Sequence, residues 1–444
     1  MLSRIMGKLA GKPEAEVAEV RRATLSDIST TPSVTTPVKP KSDSVMRREA
    51  MLGRDQKIVA YTLMLRAQAA ALSGTTRAQD EILLGSLARL DLARVLGQRG
   101  AFIPVSPASL DLPQITAWPV AGIVWLLQDT TPPDAAAISR VEALKRDGSR
   151  FAIDADTALN ADWAPLVALA DYVLVDVGNE DIAAITTLMA AVSRLTKEAR
   201  FVATHVPSLE IFHACHKLQF TLFMGPFITR RETLDSPPMG PSRAKVLDLM
   251  NRVRAGAEQN DLATHFRHDP ALSVRLLRYV NSPGMGLMSK IGGIEQALMV
   301  MGQDKLYRWL TLILFTGGQA QALDNAVLEN ALLRGRLAEQ LAGKALFAKA
   351  RDEIFVAGLF SLLDVVMRVP METVLKQVPL PAEITEAILN QRGPYAPYLT
   401  LAIACEQDDQ TAIETLAAQI GREVADINTA HMEALVWVQE IGEV

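Results

Sequence analysis

The sequence predicts a two-part molecule of mixed class: an α/β barrel followed by an all-α bundle. Three observations carry that expectation. Between residues 51 and 232, short apolar runs alternate with helical segments, the pattern of parallel strands covered by helices. Asp235, Ser236, Pro237, Pro238, Met239, Gly240 and Pro241 then form the clearest break in the chain, because proline and glycine end regular structure. Beyond the break, apolar residues recur at helical spacing and no strand-like alternation follows.

Composition bounds the rest. With 444 residues the chain has room for two or three domains, at roughly 150 residues each. An apolar content of 49%, dominated by alanine and leucine, supports ordinary buried cores and favours helices. The net charge of −5 gives no support for a nucleic-acid surface. The only cysteines, Cys215 and Cys405, are far apart, so a reducing cytoplasm is expected rather than a disulfide framework. No apolar run approaches the ~20 residues that cross a bilayer.

Residues 1–50 read as a disordered basic tail. They carry nine Lys/Arg against six Asp/Glu, leaving −8 on the remainder. Pro32, Pro37 and Pro40 interrupt a Ser/Thr-rich stretch. Before it, Leu2, Ile5, Met6 and Leu9 share a helical face opposite Arg4, Lys8 and Lys12. A frayed terminus is the simpler reading, and a weak membrane-surface or partner-docking helix is the functional one.

In the barrel region, 51–232, strands are placed at 57–61, 101–105, 122–127, 151–153, 172–175 and 200–203. A linker at 233–242 leads to the helical region, 243–444, with helices near 243–257, 270–280, 294–301, 304–315, 322–342, 381–389 and 411–420. The most informative stretch is 269–302. Asp269 suits an N-cap and Pro270 the first helical position, where a missing N–H costs nothing. Leu272, Leu276, Tyr279 and Val280 make one apolar face. Asn281 to Gly286 form a turn, and Gly302 stops a second helix whose inner face holds Ile294, Ala297, Leu298 and Met301.

That stretch resembles the core signature of the HDOD domain, a helical module of bacterial signalling proteins. Asp269, Pro270, Leu276, Leu277, Arg278, Asn281, Ser282, Ile294, Gln296, Ala297 and Gly302 carry the resemblance, which implies a structural or docking role for them. Residues 357–364 (AGLFSLLD) resemble the later signature of HDOD domains joined to an EAL-like domain. The first half in turn resembles an EAL domain, a βα barrel whose active members hydrolyse cyclic di-GMP. Here 54–66 is similar to the opening strand and 218–228 to the closing one.

Such hydrolysis needs carboxylates that hold two divalent metals. Under this resemblance the family's glutamate falls at Thr62, its asparagine at Pro104 and the next glutamate near Trp125. Its aspartate pair survives only as Asp154 followed by Ala155, with Asp156 out of register. The lysine falls at Leu174, ahead of Asp176, and the late glutamates at Thr204 and Pro207. Asp154 and Asp176 are thus residual carboxylates, expected to end strands and cap loops. The resemblance therefore implies a degenerate EAL-type barrel followed by an HD-like (HDOD) bundle.

Two further clusters invite metal readings. HD phosphohydrolases ligate metal through a His-Asp dipeptide within a helix, whereas His268-Asp269 precedes Pro270 at a helix start, with only His265 nearby. His213, Cys215 and His216 crowd one helical turn and diverge, so Cys215 is expected to pack as a small hydrophobe. The expected function is non-enzymatic bacterial signalling through contacts with unidentified signalling proteins, with no catalytic residue, metal or cofactor. Two rivals remain: a barrel that binds cyclic di-GMP weakly without cleaving it, and a phosphohydrolase at His265, His268 and Asp269.

Overall fold

Eight strands close into a barrel in the order β1 to β8. The computed structural model describes residues 46–65, 76–88, 92, 96–118, 122–179, 181–196, 198–230, 241–282, 285, 290–316, 322–343, 346–378, 380–407 and 409–442. The tail through residue 45, the break at 231–240 and part of the 283–289 turn lie outside those residues.

β1 (Met46–Gly53) and β2 (Ile58–Leu65) form an antiparallel hairpin. Its turn is closed by Gly53 N–H to the Lys57 carbonyl at 2.8 Å. β3 (Gly100–Val105), β4 (Ile123–Leu127), β5 (Arg150–Asp154), β6 (Tyr172–Asp176), β7 (Arg200–Thr204) and β8 (Leu222–Phe223) follow in parallel. β8 then pairs antiparallel with β1 and closes the ring. Period-two alternation sorts the side chains. Ala60, Phe102, Val124, Leu126, Ala152, Tyr172, Leu174, Val202 and Met224 fill the interior. Tyr61, Ile103, Trp125, Phe151, Val173 and Val175 face outward and are buried under helices.

Those covering helices are α1 (Thr76–Ala88), α2 (Pro113–Ala117), α3 (Ala135–Arg146), α4 (Ala155–Ala158), α5 (Ala164–Val167), α6 (Ile182–Val192) and α7 (Leu209–Lys217). Short polar residues start the longer ones, since an N-cap oxygen satisfies an otherwise orphaned backbone N–H. Asp134 accepts from Ala137 at 2.7 Å and Asp181 from Ala184 at 2.7 Å.

The helical part runs through α8 (Pro241–Arg254), α9 (Gln259–Arg267), α10 (Pro270–Val280), α11 (Ile294–Thr316), α12 (Ala322–Ala342) and α13 (Ala348–Phe360). It continues with α14 (Leu363–Met367), α15 (Met371–Gln377), α16 (Ala382–Asn390), α17 (Ala396–Gln407), α18 (Gln410–Gln419) and α19 (Val424–Gly442). α11 comprises the two helices expected at 294–301 and 304–315, parted at Gly302, whose φ of 64° and ψ of 173° leave the helical region. Only glycine takes that conformation at low cost. α12 and α13 cross almost backbone to backbone: a Cβ on Gly358 would lie 2.4 Å from Gly335 Cα.

Three expectations need correction. β1 begins at Met46, inside the stretch assigned to the tail. Its charged residues hid it, because the partner of Arg48 is Glu329, 281 positions away. The helix placed from 243 begins at Pro241, the last proline of the expected linker, sitting at the first helical position. α9, with His265 on it, was not foreseen.

The barrel and the helices meet at a buried polar seam. Glu329, on α12, is 7% exposed and accepts from Arg48 Nη2 at 2.9 Å and Arg99 Nη1 at 2.8 Å. The Tyr61 hydroxyl donates to the same carboxylate. Arg48 lies 3.8 Å above the Tyr61 ring. Gln439, on α19, sits 2.7 Å from that hydroxyl, and with its amide oxygen turned inward it accepts from both arginines. Burial pulls the Arg48 guanidinium below its ordinary value, and Glu329 opposes that shift. Among the described residues no helix is long and apolar enough to cross a membrane.

Candidate functional site

The carboxyl ends of parallel barrel strands are where loops converge, and there the chain holds a cavity of about 720 Å³. Thr62, Pro104, Leu126, Asp154, Leu174, Thr204 and Met224 line it from successive strands. The positions matched to the EAL metal ligands therefore do come together, apart from Trp125, Ala155 and Pro207. Leu126, not Trp125, faces the cavity, because the pleat sends Trp125 outward to stack on Trp118 at 6.0 Å. Pro207 does not line it.

Only Asp154 among these lining residues keeps a carboxylate. Gln128 Nε2 donates to its Oδ2 at 2.7 Å. Burial pushes its carboxyl above the usual range, the neighbouring charges of Asp156 and Asp176 add to that, and the Gln128 hydrogen bond opposes it. Asp154 makes no capping bond to the helix after it, contrary to expectation. Asp176 does cap its loop, accepting from Gly178 N–H at 2.8 Å. Its other oxygen is 3.0 Å from Nδ1 of His205, a residue held at φ 54° just past β7.

Within the lining, the Thr62 hydroxyl donates to the Met224 thioether at 3.5 Å. A two-metal centre needs several oxygen ligands converging on ions about 3.5–4 Å apart. Asp154 is the one carboxylate at the matched positions, and the other carboxylates of the lining, Glu49, Asp80 and Asp129, form no metal-holding group with it, so the described residues do not fit that requirement. Among the described residues no three His, Cys, Asp or Glu side chains are grouped to hold a metal ion.

The mouth has polar residues that sequence reasoning missed, because loops rather than strands deliver them. Asp80, on α1, accepts Ser106 N–H at 2.9 Å. The Ser106 hydroxyl donates to Asp129 at 2.5 Å. Burial pushes the Asp80 carboxyl up to about 6. A carboxyl with a raised folded-state pKa stabilises fully below its unfolded value near 4, and that contribution is lost as pH rises through 6. Two units correspond to about 3 kcal/mol as an order of magnitude. Asp80→Asn should flatten the fall in unfolding free energy between pH 4 and 7, measured by urea titration at each pH.

The clusters with metal-like composition are held by other partners. His268 caps α9 and its Nδ1 donates to the Thr264 carbonyl at 2.8 Å, while His265 lies 3.7 Å from Asp261 on the same helix. Asp269 caps α10 through Leu272 N–H at 3.0 Å. Cys215 is fully buried, its thiol pushed up to about 11 by that burial. His216 lends its carbonyl to Arg54 at 3.1 Å.

The HDOD-signature residues run along α10, the turn after it and the first part of α11. Pro270 opens α10, Leu277 is half-buried, Ser282 is buried, and Arg278 and Gln296 face solvent. Asn281 joins two backbones: Nδ2 donates to the carbonyls of Leu277 at 2.9 Å and Ile291 at 2.8 Å, while Oδ1 accepts Ile291 N–H at 2.7 Å. Ala297 then packs fully buried on α11 before Gly302 ends that segment. Asn281→Ala strands the buried Ile291 amide and should cost about 1–3 kcal/mol by denaturant unfolding.

Residues 237–390 match the model of the HDOD domain. The chain is 24% identical over 324 residues to the cyclic di-GMP phosphodiesterase CdgJ of Vibrio cholerae, covering 72% of this chain and 74% of that protein. It is 23% identical over 405 residues to YuxH of Bacillus subtilis, an uncharacterised protein, covering 89% and 98%. An EAL-domain protein from Listeria monocytogenes superposes on 43% of this chain and 89% of its own, at 13% identity and a TM-score of 0.35. The chain is thus an eight-stranded barrel followed by a helical region that contains an HDOD domain.

Proposed function

We propose that this protein is a non-enzymatic regulator in cyclic di-GMP-related bacterial signalling, with a metal-free barrel coupled to a helical docking domain. The observation that carries the reading is the floor of the mouth, where Thr62, Pro104, Leu126, Leu174, Thr204 and Met224 stand in place of ligands. The lining also holds Glu49, Asp80, Asp129 and Asp154 without a lysine or arginine among the described residues, which disfavours a dianionic nucleotide. Output would pass through the exposed residues beside the HDOD turn, Val274, Arg278, Gln296 and Met299, the last 67% exposed. The buried seam ties that domain to the β1–β2 hairpin.

The reading departs from the activity in the name of the Vibrio relative, and the test is direct. Titrating the full chain with cyclic di-GMP, with magnesium or manganese present, should give no linear product. Binding without product would make the barrel a receptor; linear dinucleotide would overturn the proposal.

A further inference from the structure

The barrel mouth has features that a nucleotide scaffold does not need. It is a roughly 720 Å³ cavity whose lining includes the apolar residues Pro104, Leu126, Leu174 and Met224. The same lining carries Glu49, Asp80, Asp129 and Asp154, and among its described residues no lysine or arginine. An occupant should therefore present apolar surface and positive charge together.

The chain contains such a segment, and the topology delivers it to the right place. β1 is the antiparallel strand, so its first residue, Met46, pairs with Leu65 at the carboxyl end of β2. That is the mouth end, where Met64 lines the cavity. Met46, the first described residue, thus stands at this rim. Before it in the chain, residues 2–12 carry Leu2, Ile5, Met6 and Leu9 at helical spacing, and the charges Arg4, Lys8 and Lys12 with no acidic residue. The acidic residues of the tail begin only at Glu14. Residues 13–45 separate that segment from Met46; a linker of that length reaches about 30 Å, against a rim on the order of 15 Å across for eight strands.

We propose that the mouth is the docking site of this chain's own residues 2–12, their apolar face against Pro104, Leu126, Leu174 and Met224 and their cations against Glu49, Asp80, Asp129 and Asp154. An anionic membrane or an acidic partner competes for the same cationic face.

Zero-length carbodiimide coupling of the full chain tests this, because it joins only amines and carboxylates already in contact. The experiment uses an equal mixture of ¹⁵N-labelled and unlabelled protein. The expected product links Lys8 or Lys12 to Glu49, Asp80, Asp129 or Asp154 within one isotopic species. Products joining labelled to unlabelled chains would replace the internal occupant by a second copy and overturn the proposal, as would tail cross-links only to carboxylates away from the mouth. As an independent measurement, the variant Arg4→Glu, Lys8→Glu, Lys12→Glu should speed hydrogen exchange several-fold at 126–131 and 154–157. Unchanged exchange overturns the proposal. Hydrolysis of cyclic di-GMP by the barrel would defeat the function proposed above and leave these results standing.

Discussion

Glu329→Ala is expected to lower the free energy of unfolding by about 3–5 kcal/mol, the range for a buried ion pair stripped of one partner. The reasoning lies in what stays behind. Arg48 and Arg99 have side chains 7% and 22% exposed, and both point at the missing carboxylate. Water reaches them poorly, so their desolvation is no longer offset. The Tyr61 hydroxyl loses its carboxylate acceptor at the same time, and the Gln439 amide oxygen is left to serve it and both arginines. Glu329→Gln keeps the shape and one acceptor oxygen while losing the charge, and should fall between wild type and alanine. Adding Arg48→Met to Glu329→Ala should recover part of the loss, because one of the two stranded cations is removed. Urea unfolding of the three variants gives the ranking; equal stabilities for wild type and alanine would mean that the seam contributes nothing.

Gly358→Val should be at least as severe, for a steric reason. The added Cβ would sit 2.4 Å from both Cα and N of Gly335 and 2.8 Å from the Arg334 carbonyl carbon. All three are backbone atoms in the middle of α12, so no side chain can swing aside, and two buried helices must separate. Overpacking of this kind costs typically 1–3 kcal/mol and sometimes more; with backbone on both sides the upper end applies. Gly335→Ala meets the Phe355 carbonyl at 2.7 Å and should behave alike. The control is Gly85→Ala on α1, where a Cβ meets nothing within 4 Å. There, alanine should be neutral or stabilise by about 0.5–1 kcal/mol. Thermal unfolding of the three variants reads the contrast, and a Gly358→Val protein as stable as Gly85→Ala would contradict the close crossing.

The same residues show what the sequence could convey. β2 to β7 were legible because each is a short apolar run between turn signals, and α10 because Asp269 and Pro270 mark its start. The turn after it carries Asn281, whose recognition rested on a family pattern; its three hydrogen bonds belong to the fold. β1 was not legible. Arg48 and Glu49 look like tail residues until Glu329 and the mouth provide their settings, and both settings are tertiary. The mouth was legible as a set of substitutions, and register moved one of them from Trp125 to Leu126. Asp80, Asp129 and His205 had no signal, since each reaches the site from a loop or helix whose direction depends on the closed ring.

The polar seam also bears on the order in which this chain can fold. Gln439 meets Tyr61 across 378 positions of sequence. During synthesis the β1–β2 hairpin emerges long before α12 and α19 exist, and it carries Arg48 and Tyr61, like Arg99 soon after it, with the seam partner Glu329 not yet made. Closure of so long a loop comes late and slowly. The nascent barrel must wait with one side unsealed, a window in which a chaperone, or a neighbouring chain, can reach it first.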